Sequence, residues 1–531
     1  MSRWKEYLSF LDEGPHSVKI LTSNLAPQSP VPKREDVSIH RLNYTLWPFQ
    51  EKILRGMGPS TLILGLPTGL GKTYLAGAKL MRDSKERPIR VLFLVPSIPL
   101  GVQQTIFAKT MLNVNALFVS GEIPPQDRER LNVWNNGFVV TTPQTFYNDN
   151  LSVHEASLKE ARKLEDPIEY LSGLMDEFPY DVVVADECQR YIGNTDGYSI
   201  LLAAKACGSR ILALSATPQL HAPERLLELR KVFDKIKIFT VEDPGIKEHM
   251  PERLVVMERI KTPKKLLRVY RTLGTLSRSY QFRLRKKYGR GHKRNCTEHG
   301  LCKALLAVKL LKFRMVEDGA SSVIHYKTWR FKDLKNKRKS LNGESIHQAY
   351  TKALNDVFNH KISAATHILR SELYKKAIVY IESVMGAKHL AAVLHKNRTI
   401  EDTAVLVGKG DMNMDQQASA LIHFKEHAKI LVCTSVGEEG LDIPSADLEV
   451  WVDPPNNPGK WIQRFGRILR QPGDKKLAKI FALVSMQTHE KRKLLGMKKR
   501  VEETYGFTQR LKTRISKPIH SNQKTMTEYV E

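Results

Sequence analysis

The sequence predicts an α/β protein built from two doubly wound parallel sheets with a basic α-helical insert between them. Three observations carry this expectation. Short apolar, β-branched runs recur at 61–64, 91–95, 116–119, 138–141, 182–185 and 211–214, with helix-like stretches between most of them. A second series follows at 377–381, 404–407, 430–434, 448–452 and 480–484. Runs of this length, apolar on both faces, read as buried strands of parallel sheets. Between the two series, 246–370 shows helical spacing instead: Leu266, Leu267, Tyr270 and Leu273, then Leu305, Leu306, Leu310 and Leu311.

Taken in order, residues 1–39 read as a short amphipathic helix and a linker rich in Pro, Ser and charge. Residues 40–245 form the first sheet domain, 246–370 the helical insert, 371–511 the second sheet domain, and 512–531 a tail. A chain of 531 residues exceeds what one core supports, which agrees with several domains. Its 41% hydrophobic and 26% charged residues exclude collagen-like or wholly disordered chains. No apolar run reaches the roughly 18 residues that a membrane helix needs, and the first residues lack the apolar core of a signal peptide. Five cysteines in so long a chain suggest no disulfide framework and a reducing compartment.

Charge gives the first functional indication. There are 84 Lys and Arg against 56 Asp and Glu, a net +28. Residues 261–340 hold 24 of the cations and only four acids, so +20 is concentrated there. A surface needed only for solubility mixes its signs. A polyanionic partner, nucleic acid above all, is expected at this insert.

The chemistry begins after the first run. Gly65, Leu66, Pro67, Thr68, Gly69, Leu70, Gly71, Lys72 and Thr73 lie between a strand and a helix-forming stretch. Glycines there let backbone N–H groups face phosphates, and the helix start adds the positive end of its dipole. This is a P-loop for ATP, with Lys72 neutralising the β- and γ-phosphates and Thr73 ligating Mg²⁺. The run 182–185 ends in Asp186 and Glu187. Carboxylates at a strand C-terminus sit where such sheets bind ligands, so Asp186 is read as a Mg²⁺ residue and Glu187 as the base that activates water. Ser215 and Thr217 follow another strand; they either bridge the ATP site to the second domain or cap a turn. In the second unit, Arg464, Arg467 and Arg470 recur every third residue beside Gln463. Such a stripe needs an anion opposite, either a γ-phosphate in transit or solvent counterions.

The ordered set Gln50, 67–73, Pro96 with Ser97, 142–144, Asp186 through Gln189, 215–217, 434–442 and 463–470 resembles superfamily 2 helicases. Its spelling is similar to the archaeal Hef and Fanconi anaemia M branch, across roughly residues 40–500. The resemblance implies two RecA-like domains that close over ATP and a nucleic-acid strand. It implies that Gln50 reads adenine, that Gly440 and Asp442 contact the nucleotide from the second domain, and that Gln463, Arg467 and Arg470 reach the γ-phosphate. It places Pro96, Ser120, Gly121, Thr142, Pro143, Gln144 and Thr434 along the nucleic-acid track, where phosphate contacts carry little sequence information. Gln189 stands where this family shows His; it still donates and accepts, so coupling to Ser215 is expected to survive. No nuclease module is expected after residue 500. The implied activity is ATP-dependent DNA unwinding or translocation on forked or branched DNA in repair. RNA-stimulated ATPases and non-unwinding remodellers share the layout and remain open. The compact ends of the chain suggest a cytoplasmic, nucleoid-associated protein of a prokaryote such as an archaeon; in a eukaryote a nuclear place is expected.

Two weaker patterns complete the reading. His292, Cys296, His299 and Cys302 have zinc-ligand chemistry but a helical spacing that keeps four ligands from one ion, so a plain basic helix is the alternative. Gln523, Met526 and Tyr529 resemble a sliding-clamp (PCNA) binding peptide, with Val530 departing from it; a chance match in a polar tail is the alternative.

Overall fold

The computed structural model describes residues 29–515 except 32, 65, 67–69, 217–222, 241, 250, 290–299, 318–359, 397–401, 409, 439–442, 444–445, 469–476 and 507. The clamp-like segment at 523–530 and three of the four zinc-type residues therefore lie outside it. So do the N-terminal stretch 1–28, Gly65, Pro67, Thr68, Gly69, Thr217, Gly440, Asp442 and Arg470.

The first sheet has seven parallel strands: β1 Ser60–Leu64, β2 Val91–Leu94, β3 Ala116–Val119, β4 Phe138–Thr141, β5 Val182–Asp186, β6 Arg210–Ser215 and β7 Lys235–Ile238, in the order β3-β4-β2-β5-β6-β1-β7. Parallel strands need crossovers, and the helices that supply them cover both faces. That is why these strands read as unbroken apolar runs. Val182, Val183, Val184 and Ala185 are all buried, alternate residues feeding two separate cores on opposite faces.

The second sheet is also seven-stranded and parallel: β8 Glu252–Ile260, β9 Ala377–Tyr380, β10 Thr403–Leu406, β11 Ile430–Cys433, β12 Leu448–Trp451, β13 Leu477–Ser485 and β14 Arg510–Ile515, ordered β10-β11-β9-β12-β13-β8-β14. Strand β8 lies inside the range 246–370 that reads as helical from sequence. Its charged ends hide it there. It becomes a strand by pairing with β13 from Leu477↔Glu252 to Ser485↔Ile260. Its buried Glu258 is answered by Arg514 Nε on β14 at 2.6 Å. The chain thus enters the second sheet before the insert begins, and β14 carries that sheet past 511 to Ile515. Apart from β14's ion pairs its side chains are mostly exposed, and its Arg and Lys suit an edge strand that must not recruit further strands.

The insert's described part is a helix pair, Lys264–Tyr288 and Gly300–Glu317. Leu266, Leu273, Tyr280 and Leu284 pack against Leu305, Val308, Leu311 and Met315 in a core of their own. Cys302 is buried in that core, and among the described residues no group of His, Cys, Asp and Glu is placed to hold a metal ion. Arg283, Arg285, Lys286 and Lys287 stay exposed beside Phe282, which is 70% exposed. No helix among the described residues is long and apolar enough to cross a membrane.

Candidate nucleotide and nucleic-acid site

The C-terminal ends of the first sheet's strands stand level. Leu64 pairs with Ser215 and Leu214 pairs with Asp186, so the P-loop, the carboxylates and the serine leave three adjacent strands at one height. This is the edge at which open parallel sheets bind ligands.

Lys72 opens the helix Lys72–Ser84 and is buried, its Nζ donating to Leu66 O at 3.3 Å. Gly71 caps that helix with φ at +72°. A Cβ there would meet Gln50 Nε2 at 2.5 Å, so both conformation and space demand glycine. Gln50 sits against the phosphate loop, donating from Nε2 to Leu70 O at 2.9 Å and accepting from Trp47 N at 2.8 Å. These contacts seat Gln50 beside Leu70, next to the helix that Lys72 opens.

Asp186 is buried, and burial together with the Glu187 carboxylate pushes its carboxyl up to about 7, with Lys72 pulling the other way. A buried acid so raised is a group that a cation would stabilise in its charged form. Gln104, which the sequence reading missed, joins the two expected magnesium residues: its Nε2 donates to Asp186 Oδ2 at 3.1 Å and to Thr73 Oγ1 at 3.4 Å. Gln104 is one of two adjacent glutamines in the helix Ile98–Met111, and nothing in that pair marks it out.

Glu187 adopts a left-handed backbone, φ +52°, which costs a non-glycine residue about 1 kcal/mol or more. Its N–H donates to Asp186 Oδ1 at 3.0 Å. Its side chain accepts from Gln189 Nε2, and Gln189 Oε1 accepts from Ser215 Oγ at 2.5 Å. A continuous hydrogen-bonded line therefore runs from Glu187 to Ser215 through a glutamine, as the donor–acceptor inventory of an amide allows.

A cavity of 340 Å³ separates the two sheets' functional edges. Pro96, Ser97, Glu187 and Arg190 line it from the first domain, and Gly408, Thr434, Ser435, Val436, Lys460 and Gln463 from the second. Glu187 and Gln463 thus face one space, with Pro96 and Thr434 of the expected track. Ser120 and Gly121 follow β3, and Thr142, Pro143 and Gln144 follow β4. They occupy the same sheet edge but do not line this cavity. Thr142 Oγ1 lies 2.9 Å from Thr145 Oγ1, and Ser120 Oγ accepts from Glu122 N at 3.3 Å.

Arg464 does not face the cavity. Its Nη1 donates to Asp453 O at 2.6 Å, and its guanidinium stacks over Tyr380 and Trp451. At this position the cation meets protein instead of ligand: a backbone carbonyl, two aromatic faces and, at 3.9 Å, the Glu382 carboxylate. Arg467 is buried on the same helix, Pro458–Ile468, and is not part of the cavity lining.

These features define a class of fold: two RecA-like parallel sheets, one carrying the helix that Lys72 opens and the acid pair that ends β5, the other placing a basic helix across the cleft. Comparison with known proteins agrees. Residues 39–220 match the family model "Type III restriction enzyme, res subunit", and residues 360–471 match "Helicase conserved C-terminal domain". Together these ranges cover more than half of the chain. The helicase domain of Hef from Pyrococcus furiosus aligns with a TM-score of 0.56 at 21% identity, over 84% of this chain and 97% of that one. The ATP-dependent DNA helicase mph1 of Sclerotinia sclerotiorum is 24% identical over 80% of this chain and 38% of its own. That of Neurospora crassa is 24% identical over 85% and 42%. A Methanocaldococcus jannaschii relative named as a candidate RNA helicase is 23% identical over 80% and 55%. The chain belongs to the superfamily 2 helicases by its two matched domains, and it is similar to Hef and the Mph1-type helicases. It spans between about two-fifths and just over half of these curated relatives' lengths.

Proposed function

We propose that this chain is a Mg²⁺- and ATP-dependent DNA helicase or translocase that acts on forked or branched DNA. The observation that supports it most is the shared cavity, where Glu187 of one domain faces Gln463 of the other beside Pro96 and Thr434. Closing two domains over ATP would let hydrolysis alternate their grip on one strand. In this reading Lys72 and the loop residues Pro67, Thr68, Gly69, Leu70 and Gly71 bind phosphates, and Thr73 and Asp186 hold Mg²⁺. Glu187 activates water, while Gln463, Arg467 and Arg470 meet the γ-phosphate. Gly440 and Asp442 complete the nucleotide site from the second domain. Gln189, Ser215 and Thr217 couple hydrolysis to movement along Ser120, Gly121, Thr142, Pro143, Gln144 and Thr434. The names of the fungal relatives favour DNA, and a protein of this kind would work at the nucleoid or in the nucleus.

The test compares ATP turnover with forked DNA, single-stranded DNA, duplex DNA and duplex RNA. Forked DNA should stimulate most, and Ser215→Ala should keep the turnover while losing strand separation. Stimulation by duplex RNA alone would replace this reading with an RNA-activated ATPase.

The insert should supply much of the electrostatic affinity. Arg283, Arg285, Lys286 and Lys287 project from one exposed helix end. Each phosphate contact adds about 0.9 to the slope of log K against log salt. Changing all four to Ala should therefore flatten that slope by about 2–4. A slope unchanged within 0.5, an order-of-magnitude bound on the same scale, would make this end a solvated surface only.

A further inference from the structure

Strands β9, β11 and β12 end level, since Tyr380 pairs with both Cys433 and Trp451. Glu382 and Asp453 therefore leave neighbouring strands side by side, and Glu382 N donates to Asp453 Oδ2 at 2.8 Å. Both acids hold the helix that carries Gln463 and Arg467. Asp453 O takes Arg464 Nη1, and Glu382 Oε1 lies 3.9 Å from both Arg464 Nη2 and Lys460 Nζ. Lys460 lines the cavity together with Gln463, one helical turn away.

The insert ends on the same acids from two directions. On its way out, Arg314 of the helix Gly300–Glu317 places Nη1 3.7 Å from Glu382 Oε2 and 3.8 Å from Glu317 Oε2. Glu317 is itself paired with Lys493 of the second domain. On the way back, Lys361 is fully buried, its Nζ 2.6 Å from Glu490 Oε1 and 3.6 Å from Asp453 Oδ1. The chain thus leaves for residues 318–359 and returns within one charged cluster, and that cluster grips the Gln463 helix. Buried charges of this kind are held in few arrangements, because removing one partner leaves another uncompensated. A shift of the insert moves Arg314 relative to Glu382, and through Glu382 it alters how Lys460 and Arg464 hold the helix.

We infer that Glu382 is a positioning residue through which the insert, once loaded on nucleic acid, sets the helix of Gln463 and Arg467 for ATP hydrolysis. This rests on the proposed nucleic-acid-stimulated ATPase. Coupling between sites of this kind ranges from about 5-fold to 150-fold.

The experiment uses the full chain and measures kcat and KM for ATP without DNA and at saturating forked DNA. Arg314→Gln, Arg314→Lys, Glu382→Gln and the double variant Arg314→Gln/Glu382→Gln are compared. Arg314 is partly exposed, so its variants should fold even where Glu382→Gln does not. Arg314→Gln should leave DNA-free turnover and both KM values within twofold. Its stimulation by DNA should fall about tenfold, within the usual range of coupling. Arg314→Lys should restore most of that loss, and the double variant should lose no more than the worse single one. Stimulation within twofold of the unaltered chain in Arg314→Gln overturns the inference. So does an equal fall in DNA-free and DNA-stimulated turnover, or a double loss that is the product of the single losses. An unaltered chain that DNA does not stimulate overturns the proposed function, and this inference with it.

Discussion

Glu187→Gln should lower ATP turnover by about 10²–10⁴-fold, the usual contribution of a positioned general base. It should leave nucleotide binding intact. The substitution keeps size and shape, and glutamine can still meet Gln189 and the cavity. The protein would then bind ATP, close and stall, so its affinity for DNA in the presence of ATP should rise or hold. Lys72→Ala is expected to fail differently. Lys72 begins the helix beneath the loop and is buried against Leu66 O, pre-placed for phosphate without being exposed to solvent. Removing it deletes the charge that neutralises the β- and γ-phosphates, so binding and turnover fall together. Fluorescent-nucleotide titration beside steady-state hydrolysis separates the two routes. Turnover within threefold of the unaltered chain in either variant would remove that residue from the active site.

The second large effect is on stability. Lys361 is wholly buried, and burial opposes its charge. Glu490 and Asp453 outweigh that and hold its ammonium above the ordinary lysine value. A raised pKa means that its contribution is fully present below the ordinary lysine range and is lost only as pH climbs through the folded value, so it is intact at neutrality. Lys361→Met leaves two carboxylates buried without their cation, a loss of about 3–5 kcal/mol. For a domain of this size that is a fall of roughly 6–20 °C in its melting transition. The first sheet domain shares none of these residues and should melt as before. Calorimetry resolves the two transitions, and a second-domain transition moved by less than about 2 °C would show that the cluster contributes little.

Much of the site was readable in the sequence because its requirements are local. A phosphate loop needs glycine where φ is positive, as at Gly71, and a strand buried on both faces must be apolar throughout, as in β5. Asp186 and Glu187 were visible for the same reason, two acids ending such a strand. Gln189 could be expected to serve in the place of histidine because its hydrogen-bonding inventory is a property of the side chain alone. Helical periodicity likewise marked Leu266, Tyr270 and Leu273, and these are buried in the insert's core.

The rest depended on partners distant in the chain. Strand β8 is charged at both ends and becomes a strand only beside β13 and β14, more than two hundred residues later. Gln104 matters because a fold places it between Thr73 and Asp186. Arg464 and Arg467 look alike in a stripe of arginines. That Arg464 meets protein is decided by Asp453, Tyr380 and Trp451, whose positions the local sequence does not encode. The sequence by itself determined the two parallel sheets, the glycine at Gly71 and the two acids that end β5, since backbone geometry and burial impose those residue types at their own positions. Only the tertiary structure decided which charges are buried against each other, because the energy of a buried ion pair belongs to neither residue alone but to their distance and their shared exclusion of water.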